Sequence, residues 1–147
     1  MANTYSFMDV SATITGVGGS VDLGNGAATS EEGIVVSMVE AKNTMTIGAG
    51  GEVMHSLHAG KGGTITVTLL KTSPANAKLM LMYNAQQFSS ATWGNNAILI
   101  RNKVSGDTIA ARSVAFQKTP DISNAKVGNT HSWVFDCGKI DTILGTF

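Results

Sequence analysis

Residues 43–70 constrain the fold more than any other part of the chain. They read Asn-Thr-Met-Thr-Ile, then a glycine-rich arm from Gly48 to Gly63, then Thr-Ile-Thr-Val-Thr-Leu-Leu. Side chains alternate along a strand, so Ile65, Val67 and Leu69 share one face and Thr64, Thr66 and Thr68 the other. One face is therefore packed, and the other is polar but uncharged. The arm at 48–63 is rich in glycine yet carries Val53, Met54, Leu57 and Ala59. A purely entropic loop does not usually display such groups. The arm is expected to be flexible in the free chain and to become ordered on a partner, where it loses its conformational freedom.

The rest of the chain reads as further strands. Short β-rich runs are separated by turn signals such as Gly18-Gly19, Gly24-Asn25-Gly26 and Ser105-Gly106-Asp107. Strands are predicted at 11–15, 33–40, 44–48, 53–58, 64–70, 98–103, 108–116 and 131–136. The run 33–40 is apolar on both faces, which predicts cover on both. One helix is predicted over 75–87, with Ser73 as its N-cap and Pro74 at its first position. Leu79, Met80, Leu81, Met82 and Tyr83 surround nearly its whole circumference, as in a helix buried on more than one side. These patterns give one mainly β domain, 1–147, with a single flanking helix.

Composition narrows the function. Charged residues make up only 14 % of the 147 residues, and the formal net charge is zero. Average soluble domains carry about 25 % charged residues. A subunit that gives surface to neighbours manages with fewer, because interface centres are depleted in charge. The missing basic excess argues against tight wrapping of nucleic acid. The single cysteine, Cys137, cannot form an internal disulfide, and its place in an apolar strand predicts a buried, inert thiol. No basic leader or apolar run of about 20 residues is visible, so a soluble protein made in a reducing compartment is expected.

Motifs for chemistry fail on inspection. The phosphate-loop pattern would need Gly at 55 and Ser or Thr at 62, where His55 and Gly62 stand. Gly-x-Gly-x-x-Gly ends on Val21 or Val53, and the nucleophile elbow at Gly18-Gly19-Ser20 lacks its second glycine at Asp22. His55 and His58 are three apart, so in a strand they point to opposite faces, and a zinc site wants more ligands. The acids, Glu31 and Glu32 among them, are scattered without a spacing rule. No catalytic residue, metal or cofactor is expected. The contact candidates are instead Glu52, Val53, Met54, His55, Leu57 and His58 on the arm. Met80 and Met82 on the helix, and Phe88 and Trp93 in the following loop, complete the set. The alternative is a small ligand- or carbohydrate-binding β-sandwich that uses Trp93 and Phe88 as a stacking platform.

The segments from Thr44 through Val53 and from Gly63 through Asn76 resemble the tail tube proteins of contractile-tailed bacteriophages. So do the start Tyr5-Ser-Phe-Met-Asp-Val-Ser-Ala-Thr-Ile and the end Trp133-Val-Phe-Asp-Cys-Gly-Lys-Ile-Asp. The resemblance implies a small β-sandwich or β-barrel with one flanking helix. It also implies rings of six whose inner strands close a shared barrel, stacked into a hollow tube. The tube would sit in a virion tail assembled in the host cytoplasm and conduct the genome. Related rings occur in non-contractile tails and in type VI secretion. Implied partners are copies of the chain itself, a sheath, a baseplate, a tape-measure protein and DNA in transit, held without specific binding. Thr64, Thr66 and Thr68 are candidates for the lumen wall. A wall of hydroxyls and acids is expected to offer phosphates no cationic docking point.

Overall fold

The computed structural model describes residues 3–27 and 29–147; the side chains of Glu31 and Glu32 lie outside the described part. After a short 3-10 turn, Phe7–Asp9, the chain forms β1 (Val10–Gly16), β2 (Gly19–Asp22) and β3 (Thr29–Met38). Then come β4 (Asn43–Ile47), β5 (Val53–Leu57), β6 (Gly63–Leu70) and the helix α1 (Ala75–Gln86). The last strands are β7 (Asn96–Asn102), β8 (Thr108–Lys118) and β9 (Thr130–Ile143). Seven strands make one sheet in the order β2-β1-β7-β8-β9-β6-β3, and every neighbouring pair is antiparallel. The architecture is mainly β with one helix, as expected. Within this chain the sheet stays open, ending on β2 and β3.

One face of the sheet carries the core. The pairing sets Ile65 beside Phe135 and Phe135 beside Phe116. It sets Ile14 beside Ile98, Ile98 beside Ala111, and Ala111 beside Ile140. All of these are buried. Tyr83, Trp93, Phe116, Trp133 and Phe135 form an aromatic cluster with centroid separations between 5.0 and 6.5 Å, mostly edge-on or tilted. The helix closes this core with Ala75, Leu79, Met82 and Gln86, which recur every third or fourth residue on one side. Ser73 Oγ accepts the Ala75 N–H at 3.2 Å and donates to the carbonyl of Ala27, which fixes the helix start. The opposite side is bare: Leu81 is 68 % exposed. The expected second cover of the helix is therefore absent within the chain.

Three further differences have local causes. β2 went unread because Gly18-Gly19 looks like loop, yet positive φ at both glycines makes the tight reversal that lets β2 return along β1. β9 runs to Ile143 through Gly138, past its expected end. There β8 shifts register against β7, and Ser113 takes φ +53°. A Cβ at Gly138 would lie 2.9 Å from that of Ser113, so only glycine passes beneath the bulge. Finally, β3 is not covered on both faces. Ile34 and Val36 pack on the core, but Val35, paired with Thr66, faces the uncovered side of the sheet and is 54 % exposed.

Candidate assembly surfaces

The arm is a two-stranded ribbon. Among the described residues β4 pairs only with β5, in a register that sets Asn43 opposite Leu57, Met45 opposite His55 and Ile47 opposite Val53. The turn lies at Gly48–Glu52, where the Gly48 N–H donates to the Glu52 carbonyl at 2.8 Å and Gly51 has φ +88°. Glycines thus cluster at the tip and on the return through Gly60, Gly62 and Gly63, while the shafts are regular strands. Cross-strand partners share a face, so Met45, Ile47, Val53 and Leu57 form one apolar side. Thr44, Thr46 and Ser56 form the other, together with Met54. All four apolar residues of the first side are more than half exposed, Leu57 at 81 %. Exposed apolar residues gathered on a projecting element make this side the candidate docking surface.

The two histidines are divided as their spacing predicts. His55 lies on the apolar side, with its Nδ1 3.2 Å from Asn43 Nδ2. His58 Nε2 is 2.7 Å from Thr44 Oγ1, across the other side. The arm joins the body at Gly63, where a Cβ would come within 2.5 Å of the Ser37 carbonyl and 2.7 Å of Ile140 Cδ1. That close approach explains the glycine at the junction.

The other surface is the sheet face turned away from the core. Thr64 pairs with Asp136, Thr66 with Val134 and Thr68 with Ser132, so the hydroxyls share this face. Thr64 and Thr66 are partly exposed. Thr68 is only 7 % exposed, its hydroxyl 3.3 Å from Ser132 Oγ, and is thereby removed from the candidate wall. The same face carries Arg112 and Lys139, which pair across β8 and β9. This face is therefore not one of hydroxyls and acids alone. Sequence spacing gave no warning, because those residues are distant in the chain.

The remaining candidates separate by burial. Met82 is 1 % exposed in the chain's own core, so it is unable to touch a neighbour. Met80 is partly buried against that core. Trp93 stacks edge-on to Tyr83 at 5.9 Å and is part of the aromatic cluster. Phe88, two residues beyond the end of α1, is 84 % exposed and belongs to none of the cluster's pairs. Trp93 and Phe88 thus do different work and form no shared stacking platform. Cys137 is buried, and its thiol is pushed up to about 11 by desolvation, then by the Asp136 charge, against a smaller opposing hydrogen bond from the Ile65 backbone. No helix among the described residues is long and apolar enough to cross a membrane.

The fold and the sequence profile together define a structural tube protein. The chain belongs to the family described as "Bacteriophage PhiTE tail tube protein", whose profile matches residues 1–145. A search of curated protein sequences finds no match. Several solved structures share the fold. The anti-feeding prophage cap (AFP tube terminating cap) superposes with a TM-score of 0.61 at 10 % identity, over 99 % of this chain and 95 % of that one. The PVC sheath/tube terminator of an extracellular contractile injection system, in its extended state, gives 0.62 at 8 % identity over 97 % and 98 %. The PVC sheath-tube complex in the extended state gives 0.61 at 9 % identity over 96 % and 92 %. At such identities the likeness is one of fold.

Proposed function

We propose that copies of this chain close into hexameric rings and that the rings stack into the hollow inner tube of a virion tail. The observation that carries this reading is the projecting hairpin with its exposed apolar side, beside a sheet whose two edge strands are unpaired among the described residues. An edge strand presents free N–H and C=O groups to any further strand. A contact between different patches of identical subunits closes into a ring when its rotation allows. Family membership and the tube components among the structural neighbours support the reading. Six-fold symmetry is the symmetry of a baseplate structure with this fold, that of the anti-feeding prophage. In this reading the hydroxylated face of Thr64 and Thr66 lines the channel through which DNA passes. Sheath, baseplate and tape-measure proteins are the further partners, and the exposed Leu81 and Phe88 are free for an outer contact.

Imaging of the concentrated, purified full chain tests the proposal. Rings or tubes are expected for the wild type. The double variant Ile47→Asp/Val53→Asp should remain a folded monomer with unchanged circular dichroism, because neither residue touches the core. A wild type that stays monomeric when concentrated, or a double variant that assembles normally, would overturn it.

A further inference from the structure

Zero net charge conceals an uneven distribution. At the base of the arm, Lys61, Arg112 and Lys139 converge on the single carboxylate of Asp141. Lys61 Nζ donates to Oδ1 at 3.3 Å, Arg112 Nη2 stands 3.5 Å from Oδ2, and Lys139 Nζ stands 4.0 Å from Oδ2. The hydrogen bond from Lys61, with the three positive charges, holds Asp141 ionised by lowering its pKa below the usual carboxylate range. Three cations on one anion leave a local positive excess. The cations keep 49, 65 and 47 % of their side-chain surface open to solvent, so donors not engaged by Asp141 remain available.

The patch is extended and lies on the bare face of the sheet. Ala110 pairs with Asp141 and Arg112 with Lys139, which sets all four on the side opposite the core residues Ala111 and Ile140. Arg101 continues the row, because Leu99 pairs with Ala110 and Arg101 stands two residues further along the same face. Three further acids stand near the row: Asp107 stands beside Thr108, the partner of Arg101, and lines the same cavity as Arg101. Glu40 lies against Gly60 at the arm base, where Lys42 Nζ also donates to the Gly60 carbonyl at 3.2 Å. Asp136, further down the face, accepts from Gln117 Nε2 at 3.2 Å. A row of exposed, partly unsatisfied cations beside threonine hydroxyls suits an extended anion better than a small enclosed one.

We infer that the Lys61–Arg112–Lys139 cluster is a contact site for the phosphate backbone of a nucleic acid, weak per subunit and sequence-blind. In the tube reading the site lies on the channel wall, and its repetition around a ring multiplies its effect. The site itself does not depend on assembly. Asp141 moderates it by competing for the same donors, which keeps the contact loose.

Binding of a fluorescent duplex oligonucleotide to the unassembled full chain, followed by anisotropy, tests the inference. Three phosphate contacts should make log K fall against log salt with a slope of about −2.7, since each contributes roughly −0.9. The Lys61→Gln/Arg112→Gln/Lys139→Gln variant should bind at least about tenfold more weakly, in line with the loss of those contacts. Asp141→Asn should bind several-fold more tightly, an outcome that a merely structural role for the carboxylate would not produce. Lys78→Gln, which removes charge from α1 on the core side of the sheet, should change little. Absence of binding at low salt, or a triple variant or Asp141→Asn indistinguishable from wild type, would overturn the site. Because the readout uses free chain, its failure is separable from a failure to form tubes.

Discussion

Single residues in this fold are held by space as much as by chemistry. Cys137 sits in β9 between core neighbours, and the cost of burying a thiolate raises its pKa from 9.0 to about 11. A raised pKa in the folded state means that the unfolded chain releases its proton first. The thiol's contribution is therefore intact below about pH 9 and is lost as pH climbs toward 11. Urea unfolding of wild type and Cys137→Ala across that range should show wild type losing an extra 2–3 kcal/mol or so, at about 1.4 kcal/mol per pKa unit. Parallel pH profiles for the two proteins would show that the thiol titrates normally. An inert, buried thiol was legible in the sequence, since Cys137 continues the alternating apolar positions Trp133 and Phe135. Its neighbour Gly138 misled for the opposite reason. A glycine in a strand looks like an end, and only the bulge at Ser113 across the ladder shows why the strand passes through it.

At the scale of elements, the patterns with one clean period were read correctly and those that depend on a distant partner were not. The alternation of β6 and the start of α1 at Ser73 are local properties, and both appear in the structure. The second face of β3 and the outward side of α1 were expected to be covered, because apolar residues stand there. Val35 faces the bare side of the sheet, and α1 lies over the core with no further described element outside it; no local pattern contains either fact. The polar anchor of α1 was missed altogether. Gln86 and Asn96 exchange two hydrogen bonds, Nε2 to Oδ1 at 2.7 Å and Nδ2 to Oε1 at 2.8 Å, and Gln86 Nε2 also donates to the Val17 carbonyl. The pair ties the end of the helix to the start of β7 and to the β1–β2 turn, within a buried site. Gln86→Leu strands both polar atoms of the Asn96 amide in apolar surroundings, which should cost about 2–6 kcal/mol at roughly 1–3 per orphaned group. Gln86→Leu/Asn96→Leu should recover part of that loss, because with both amides gone only the half-buried Val17 carbonyl loses its donor. A double-mutant cycle in urea measures the coupling, and additive losses would show that the two amides do not act as a pair.

The whole molecule pairs two surfaces of opposite physical character, and salt separates them. The hairpin side of Met45, Ile47, Val53 and Leu57 is apolar, so in the tube reading its docking rests on burial of apolar surface. Burial of such a surface is strengthened by excluded salts such as sulfate. The cationic cluster around Asp141 acts through exposed charges, which salt screens within a Debye length of about 10 Å near 0.1 M. Overall composition reported the first surface through its charge deficit, but cancelled the second, since ten basic and ten acidic residues sum to nothing wherever they lie. Self-assembly and polyanion binding should therefore respond to sodium sulfate with opposite signs. Sedimentation should show the assembled fraction constant or rising as sulfate is added, while anisotropy shows oligonucleotide released over the same range. Assembly that dissolves in step with oligonucleotide release would mean that the subunits are joined by their charges, and that the apolar side of the hairpin is not what brings them together.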